Sequence, residues 1–176
     1  MANINAMKKT KYLFPGLMIA LSAFTAFTFT ACSNYQPTEK DLPVKTLTKL
    51  QTAFPKAAYV ELTETATYAV KNEKGKIIGK VLLSSPYADH INGFNGPIPL
   101  QIAFDQNDKI IEVRVLDNDE TPSFLNRVIN AGFLNSWNGL SAEEALDKEV
   151  DAVSGATFSS NGIQKSLKAR LQAIKH

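Results

Sequence analysis

Cysteine is almost missing from this chain: Cys32 is the only one in 176 residues. A lone thiol rules out an internal disulfide. No long run of one charge sign occurs either. The formal charge of +2 arises in the leader, where Lys8, Lys9 and Lys11 stand without an acid before residue 32. Without those three, Lys plus Arg fall from 19 to 16 against 17 acids, a balance of −1. A near-neutral domain has no electrostatic footprint for nucleic acid. Internal repeats are absent, and there is no low-complexity tract beyond the leader. What is present is ordinary for a globular protein, 44% apolar and 20% charged residues, and the length suits one domain plus a leader.

The leader has its own grammar. Lys8, Lys9 and Lys11 form a positive n-region, and residues 13–31 are an uncharged, mostly apolar run closed by Cys32. That order fits a signal peptide. Phe29-Thr30-Ala31-Cys32 resembles a bacterial lipobox, although Phe29 stands where Leu is usual; the resemblance implies a lipidated Cys32 at the mature N-terminus. The rival reading is an uncleaved membrane anchor, since the run approaches the ~17–25 residues of a membrane span. Pro15 and the threonines weigh against it. Both readings place the domain outside the cytoplasm. Residues 1–31 are therefore read as signal peptide or anchor, 32–43 as a polar tether with Pro37 and Pro43, and 44–176 as the folded domain.

Within that domain, Leu47, Leu50 and Phe54 recur at helical spacing over residues 44–54, before Pro55. Strands follow over 59–62, 67–71 and 76–84, with Asn72-Glu73-Lys74-Gly75 as a turn. Residues 85–95 read as a loop, in which His90 is a solvated histidine or, less simply, a proton donor. Residues 99–105 and 109–116 form a hairpin around Gln106-Asn107-Asp108. Their alternation predicts a sheet covered on one side. Thr121 and Pro122 open a helix whose Leu125, Val128 and Ile129 face inward. The acids at 117, 119 and 120 lack the spacing of a dedicated calcium loop, so no metal is expected. Trp137 is expected in the core, and Ser141 with Glu144 forms a capping box.

The most informative stretch is Asp151-Ala152-Val153-Ser154-Gly155-Ala156-Thr157-Phe158-Ser159-Ser160. Small residues there lead into a final helix, N-capped by Ser159 or Ser160, with Ile163, Leu167, Leu171 and Ile174 as its apolar stripe. Hydroxyls on Ser154, Thr157 and Ser159 can donate to an oxyanion, and a glycine-bearing loop before a helix start favours anions. The plain alternative is a tight loop whose Ser and Thr satisfy the backbone. No neighbouring His or Lys is placed in sequence to activate Thr157 as a nucleophile.

Residues 151–157 resemble the flavinylation motif of the FMN-binding domain family, which includes the C subunit of sodium-pumping NADH:quinone reductase and the G subunit of Rnf complexes. Gly93-Phe94-Asn95-Gly96-Pro97-Ile98 is similar to the family's Gly-Tyr-x-Gly-Pro-Ile segment. Glu120-Thr121-Pro122 is similar to its Glu-Thr-Pro-Gly segment, with Ser123 in place of Gly. The resemblance implies FMN joined by a phosphodiester to Thr157 through a separate flavin transferase. Ser154, Gly155 and Ala156 would lie beside the attachment point, and Gly96, Pro97, Glu120 and Thr121 beside the flavin. No residue is assigned a catalytic role.

The resulting expectation is an α+β domain: an antiparallel sheet with helices packed on it, closed by a C-terminal amphipathic helix. Its function would be extracytoplasmic electron transfer through covalent FMN, with a membrane or soluble redox partner and a lipid anchor at Cys32. A flavin-dependent reductase component and a lipoprotein that keeps the fold without flavin are the alternatives.

Overall fold

Two side-chain-built turns set the order of the sheet. Asn72 accepts hydrogen bonds from the backbone of Lys74 and Lys76 at 2.9 and 3.0 Å. Asp105 does the same for Asn107 and Lys109 at 2.8 and 2.9 Å. Short Asx side chains favour such turns because they supply an acceptor close to the backbone. Both lie where the sequence places hairpins. The computed structural model describes residues 35–174, Thr48 excepted. The leader, Cys32 and the first two residues after it lie outside the described residues.

Six strands follow one another as neighbours, all antiparallel: β1 (Asp41–Pro43), β2 (Ala57–Glu64), β3 (Thr67–Asn72), β4 (Ile77–Leu83), β5 (Leu100–Phe104) and β6 (Ile110–Val115). The helices are α1 (Leu50–Ala53), α2 (Pro122–Asn130), α3 (Ala142–Asp147) and α4 (Thr157–Gln172). The α+β expectation holds, with α4 closing the domain. The sheet begins earlier than its sequence signals: Asp41–Pro43, inside the stretch read as tether, pairs with Tyr59–Glu61.

Two apolar clusters cover the sheet on both faces, which corrects the expectation of one-sided cover. The larger joins Leu82, Leu100, Ile102, Phe104, Val128, Phe133, Trp137, Ile163, Leu167 and Leu171. The smaller joins Leu47, Leu50 and Phe54 to Val60, Val70, Val81 and Ala103. All five residues of β5 are buried as a result. Residues 44–54 are not one helix. A 3-10 turn at Val44–Thr46 and the single turn of α1 are separated by Lys49, whose φ is 49°. The segment opens with β-branched Val44, and such residues lose rotamer freedom in a helix. Leu47, Leu50 and Phe54 still reach the core.

Trp137 is fully buried, edge-on to Phe133 at 5.3 Å. The Ser141–Glu144 capping box opens α3. On α2, Val128 is buried and Leu125 packs against the core, but Ile129 is 45% exposed and turns outward, against expectation. Buried Arg170 ties the far end of α4 to the sheet. It donates to the Leu83 carbonyl at 2.8 Å and the Thr67 hydroxyl at 2.6 Å, and lies over the Tyr87 ring at 4.5 Å.

The edge strand β1 is fixed by charge. Asp41, its side chain wholly buried, accepts from Lys71 at 2.8 Å, from the Tyr35 hydroxyl at 2.6 Å and from Thr38. Burial pushes the Asp41 carboxyl up, but the hydrogen bonds from Lys71, Tyr35 and Thr38 outweigh it and hold the group well below the ordinary carboxylate range. Such a group contributes stability above its unfolded pKa of about 3.9, and that stability is lost as pH falls toward the folded value. Asp41→Asn is therefore expected to lower the urea midpoint at pH 7. It should also flatten the midpoint's fall between about pH 4 and pH 2. Trp137 fluorescence reads both, and a variant with an unchanged pH profile would remove this carboxylate from the account of acid stability.

Candidate functional site

A buried acid brings three distant segments together. Glu120 is 5% exposed. Its Oε2 accepts from the backbone N–H of Phe94 at 2.9 Å and of Asn95 at 3.1 Å, and its Oε1 accepts from the Ser159 hydroxyl at 3.1 Å. A carboxylate accepts on two oxygens at once, so it suits a junction of several donors. The loop carrying Glu120 is itself held: Glu120 donates its N–H to Asn118 at 2.9 Å, and Asn118 donates to the Leu116 carbonyl at 2.7 Å. Asn95 closes the circuit by donating to the Asp119 carbonyl at 2.7 Å.

The bend at residues 92–97 is clamped from the other side by α4. Gly93 donates to the Gly96 carbonyl at 2.7 Å. A Cβ placed on Gly162 would stand 2.8 Å from the Gly93 Cα and 3.0 Å from the Asn92 carbonyl oxygen. Only glycine lets the helix come that close. Small residues at Ser159, Ser160 and Ser166 extend the buried face of α4 around the expected Ile163–Leu167–Leu171 stripe.

The cap falls three or four residues before the predicted Ser159 or Ser160. Ala156 is the N-cap, without a side-chain cap bond, and Thr157 is the first helical residue. The serines are used inside. Ser160 donates to the Ala156 carbonyl at 3.0 Å and accepts from the Val153 N–H at 3.1 Å. Ser159 is spent on Glu120, so its hydroxyl is not offered to an outside oxyanion. Thr157 and Phe158 face outward, and Ser154 and Gly155 before them are exposed too.

A shallow groove of about 240 Å³ opens beside Thr157. Phe94, Phe124, Phe158, Gly155, Ala156 and Ser159 complete its lining. Phe94 meets Phe124 edge-on at 4.9 Å and Phe158 at 6.3 Å. Phe94 is 57% exposed and Phe158 68%, an unusual amount of aromatic surface to leave in water. The first N–H groups of a helix lack intrahelical partners, and the positive end of its dipole lies there. The groove therefore pairs an apolar aromatic wall with an anion-favouring end and one free hydroxyl. Its lining contains no His, Lys, Asp or Glu.

Of the residues singled out from sequence, Gly155, Ala156 and Thr157 line this groove, and Ser154 precedes them on the same turn. Gly96 and Pro97 lie in the clamped bend that carries Phe94, outside the lining. Glu120 lies beneath the groove as the junction, and Thr121 is the N-cap of α2, which carries Phe124. His90 and Asp151 are exposed. Phe124, Phe158 and Arg127 had no sequence signal as site residues. Arg127 comes from the last turn of α2 and lies over Gly155: a Cβ there would be 2.7 Å from its Nη1 and 3.5 Å from its Cζ. Gly155 has φ +75°, so both its backbone conformation and this contact favour glycine.

Residues 93–172, from the bend to the last residue of α4, match the family model of the FMN-binding domain. No curated protein matches the chain.

Removing the Glu120 carboxylate would strand two N–H groups and a buried hydroxyl. Glu120→Ala is expected to cost about 2 kcal/mol or more, since each buried unsatisfied group costs ~1–3 kcal/mol. Glu120→Gln, which keeps one acceptor oxygen, should lose less. Urea unfolding followed by Trp137 measures both, and an alanine variant as stable as the unaltered chain would deny the junction its role.

Proposed function

Because residues 93–172 match the FMN-binding domain model, we propose that the chain is a member of that family, holds FMN in ester linkage at Thr157 and serves as an electron carrier outside the cytoplasm. The observation that carries this reading is the outward-facing Thr157 hydroxyl, at the start of α4 and on the rim of an exposed aromatic groove. The residues fit the group. Phe94, Phe124 and Phe158 offer apolar faces and edges for a flat ring system, and aromatic side chains favour offset or edge-on stacking. The open N–H groups at the start of α4 suit a phosphate.

Bound flavin supplies one- and two-electron chemistry; the protein's part is to hold and surround it. Thr157 provides the oxygen of the new P–O bond. The leaving group of the flavin donor departs with the electron pair of the bond that breaks. The hydroxyl proton goes to a base of the transferase, because the groove lining has no acid or base of its own. That bare lining also supports a carrier over a reductase, which would need a group to protonate its substrate. Exposure of the aromatic rim leaves a bound ring reachable by a membrane or soluble redox partner. An ester linkage keeps the flavin where no cytoplasmic pool could replace it, which suits the exported location read from the leader. The anchor at Cys32 belongs to the same proposal.

Protein made with an active flavin transferase is expected to gain the mass of one esterified FMN, and its flavin should survive denaturation. Thr157→Ala should stay bare, and Thr157→Ser should still be loaded. Flavin that washes out of the unfolded chain, or remains on the alanine variant, would overturn the ester. The same mass spectrum reports cleavage and lipidation at Cys32.

A further inference from the structure

Arg127 reaches Gly155 of the motif from α2, and nothing else in the described residues uses its guanidinium. It is exposed, and among the described residues its side chain makes no ion pair or hydrogen bond. Its Cδ, Cζ and Nη1 all lie over Gly155, within 3.9 Å of where a Cβ would be. Gly155 is two residues before Thr157 and lines the same groove. Glycine at 155 thus makes room for the guanidinium beside the helix start. Of the acids on the neighbouring loop, Asp117 and Asp119 are exposed and pair with no cation among the described residues, and Glu120 is buried and turned to Phe94, Asn95 and Ser159. No acid in the groove lining competes for the cation.

We propose that Arg127 is the phosphate-specificity residue of this site, pairing with the FMN phosphate alongside the open N–H groups of α4. This rests on the reading of the groove as the FMN site. A guanidinium presents several N–H donors in a fixed plane that matches phosphate oxygens, which a lysine does not. The pairing would align the phosphate with the Thr157 hydroxyl before the ester forms and neutralise the one remaining negative charge afterwards. An arginine in the last turn of a helix also offsets the dipole of that helix. That second role would change stability and leave ligand choice alone, so the two are separable.

The test compares FMN with riboflavin, which lacks only the phosphate, on the full chain in detergent, made in cells without flavin transferase. Flavin fluorescence anisotropy gives both dissociation constants. The unaltered chain should prefer FMN by about tenfold, the low end for one charge-assisted hydrogen bond in an open site. Arg127→Ala should bring the preference to within about twofold while riboflavin affinity stays the same, and Arg127→Lys should keep part of it. The preference should shrink with added salt. The proposal is overturned by three results: an unaltered chain without preference or without binding, an alanine variant that keeps the preference, or equal loss of both ligands. Trp137-monitored unfolding shows whether the variants are folded. Intact mass after transferase treatment reads the ester separately. A bare Thr157 with the FMN preference intact sinks the ester alone, and a loaded Thr157 without the preference sinks the role of Arg127 alone.

Discussion

The Glu120 carboxylate is the constraint from which the site follows. A charge taken out of water must be solvated by the protein, and the donors that do so here come from elsewhere in the chain. Phe94 and Asn95 lie 26 and 25 residues upstream, and Ser159 lies 39 residues downstream. Satisfying one side chain therefore fixes the bend, the loop before α2 and the start of α4 against one another. Gly162 seals the arrangement, because its lack of a side chain lets the helix rest directly on the bend. The groove is what remains on the outer side of this junction. Phe94 stands on it because its own N–H is held from below, and Thr157 because Ser159 is held from within.

The sheet supplies a rigid back for that arrangement. With β5 buried on both faces, the sheet cannot slide without opening both apolar clusters. Arg170 fastens the C-terminal part of α4 to the ends of the strands, and Ser159 fastens its first turn to Glu120. A helix held at both ends has little freedom to rotate. Rotation matters because each residue turns through about 100°. A modest roll of α4 would hide Thr157 or expose Ser159.

Much of the sheet was legible in the sequence, because its signals are local. Alternation in residues 99–116 and the Asx turns at Asn72 and Asp105 act over a few residues. The Ser141–Glu144 box and the Ile163–Leu167–Leu171 stripe are equally local. The errors came where a distant partner decides. Ser159 and Ser160 look like caps, since both can accept a backbone N–H; Glu120, Val153 and the Ala156 carbonyl claim their hydroxyls instead. The alternation in β5 predicts a polar face, but Leu47, Leu50 and Phe54 arrive to bury it. Residues 44–54 keep their inward apolar spacing and lose the continuous helix. In the site, Gly155, Ala156 and Thr157 stand out by motif. Phe124, Phe158 and Arg127 read as ordinary helix residues, and nothing in their local sequence says that they converge.

That convergence bears on how such a site is loaded and used. A groove that holds its hydroxyl and aromatics on the surface sacrifices the grip a deep pocket would give, since less of a ligand's apolar area leaves water. Weak non-covalent retention is tolerable if the ligand is esterified. In return, one surface would admit a transferase before loading and a redox partner after it. The lining fits this division of labour, with rings to stack on and open N–H groups for a phosphate. The missing acid–base group is no defect if proton and group transfer are the work of another protein. A buried site would need separate routes for the loading enzyme and for electrons. Here the roll of α4, set by Glu120 through Ser159, keeps both on one exposed face.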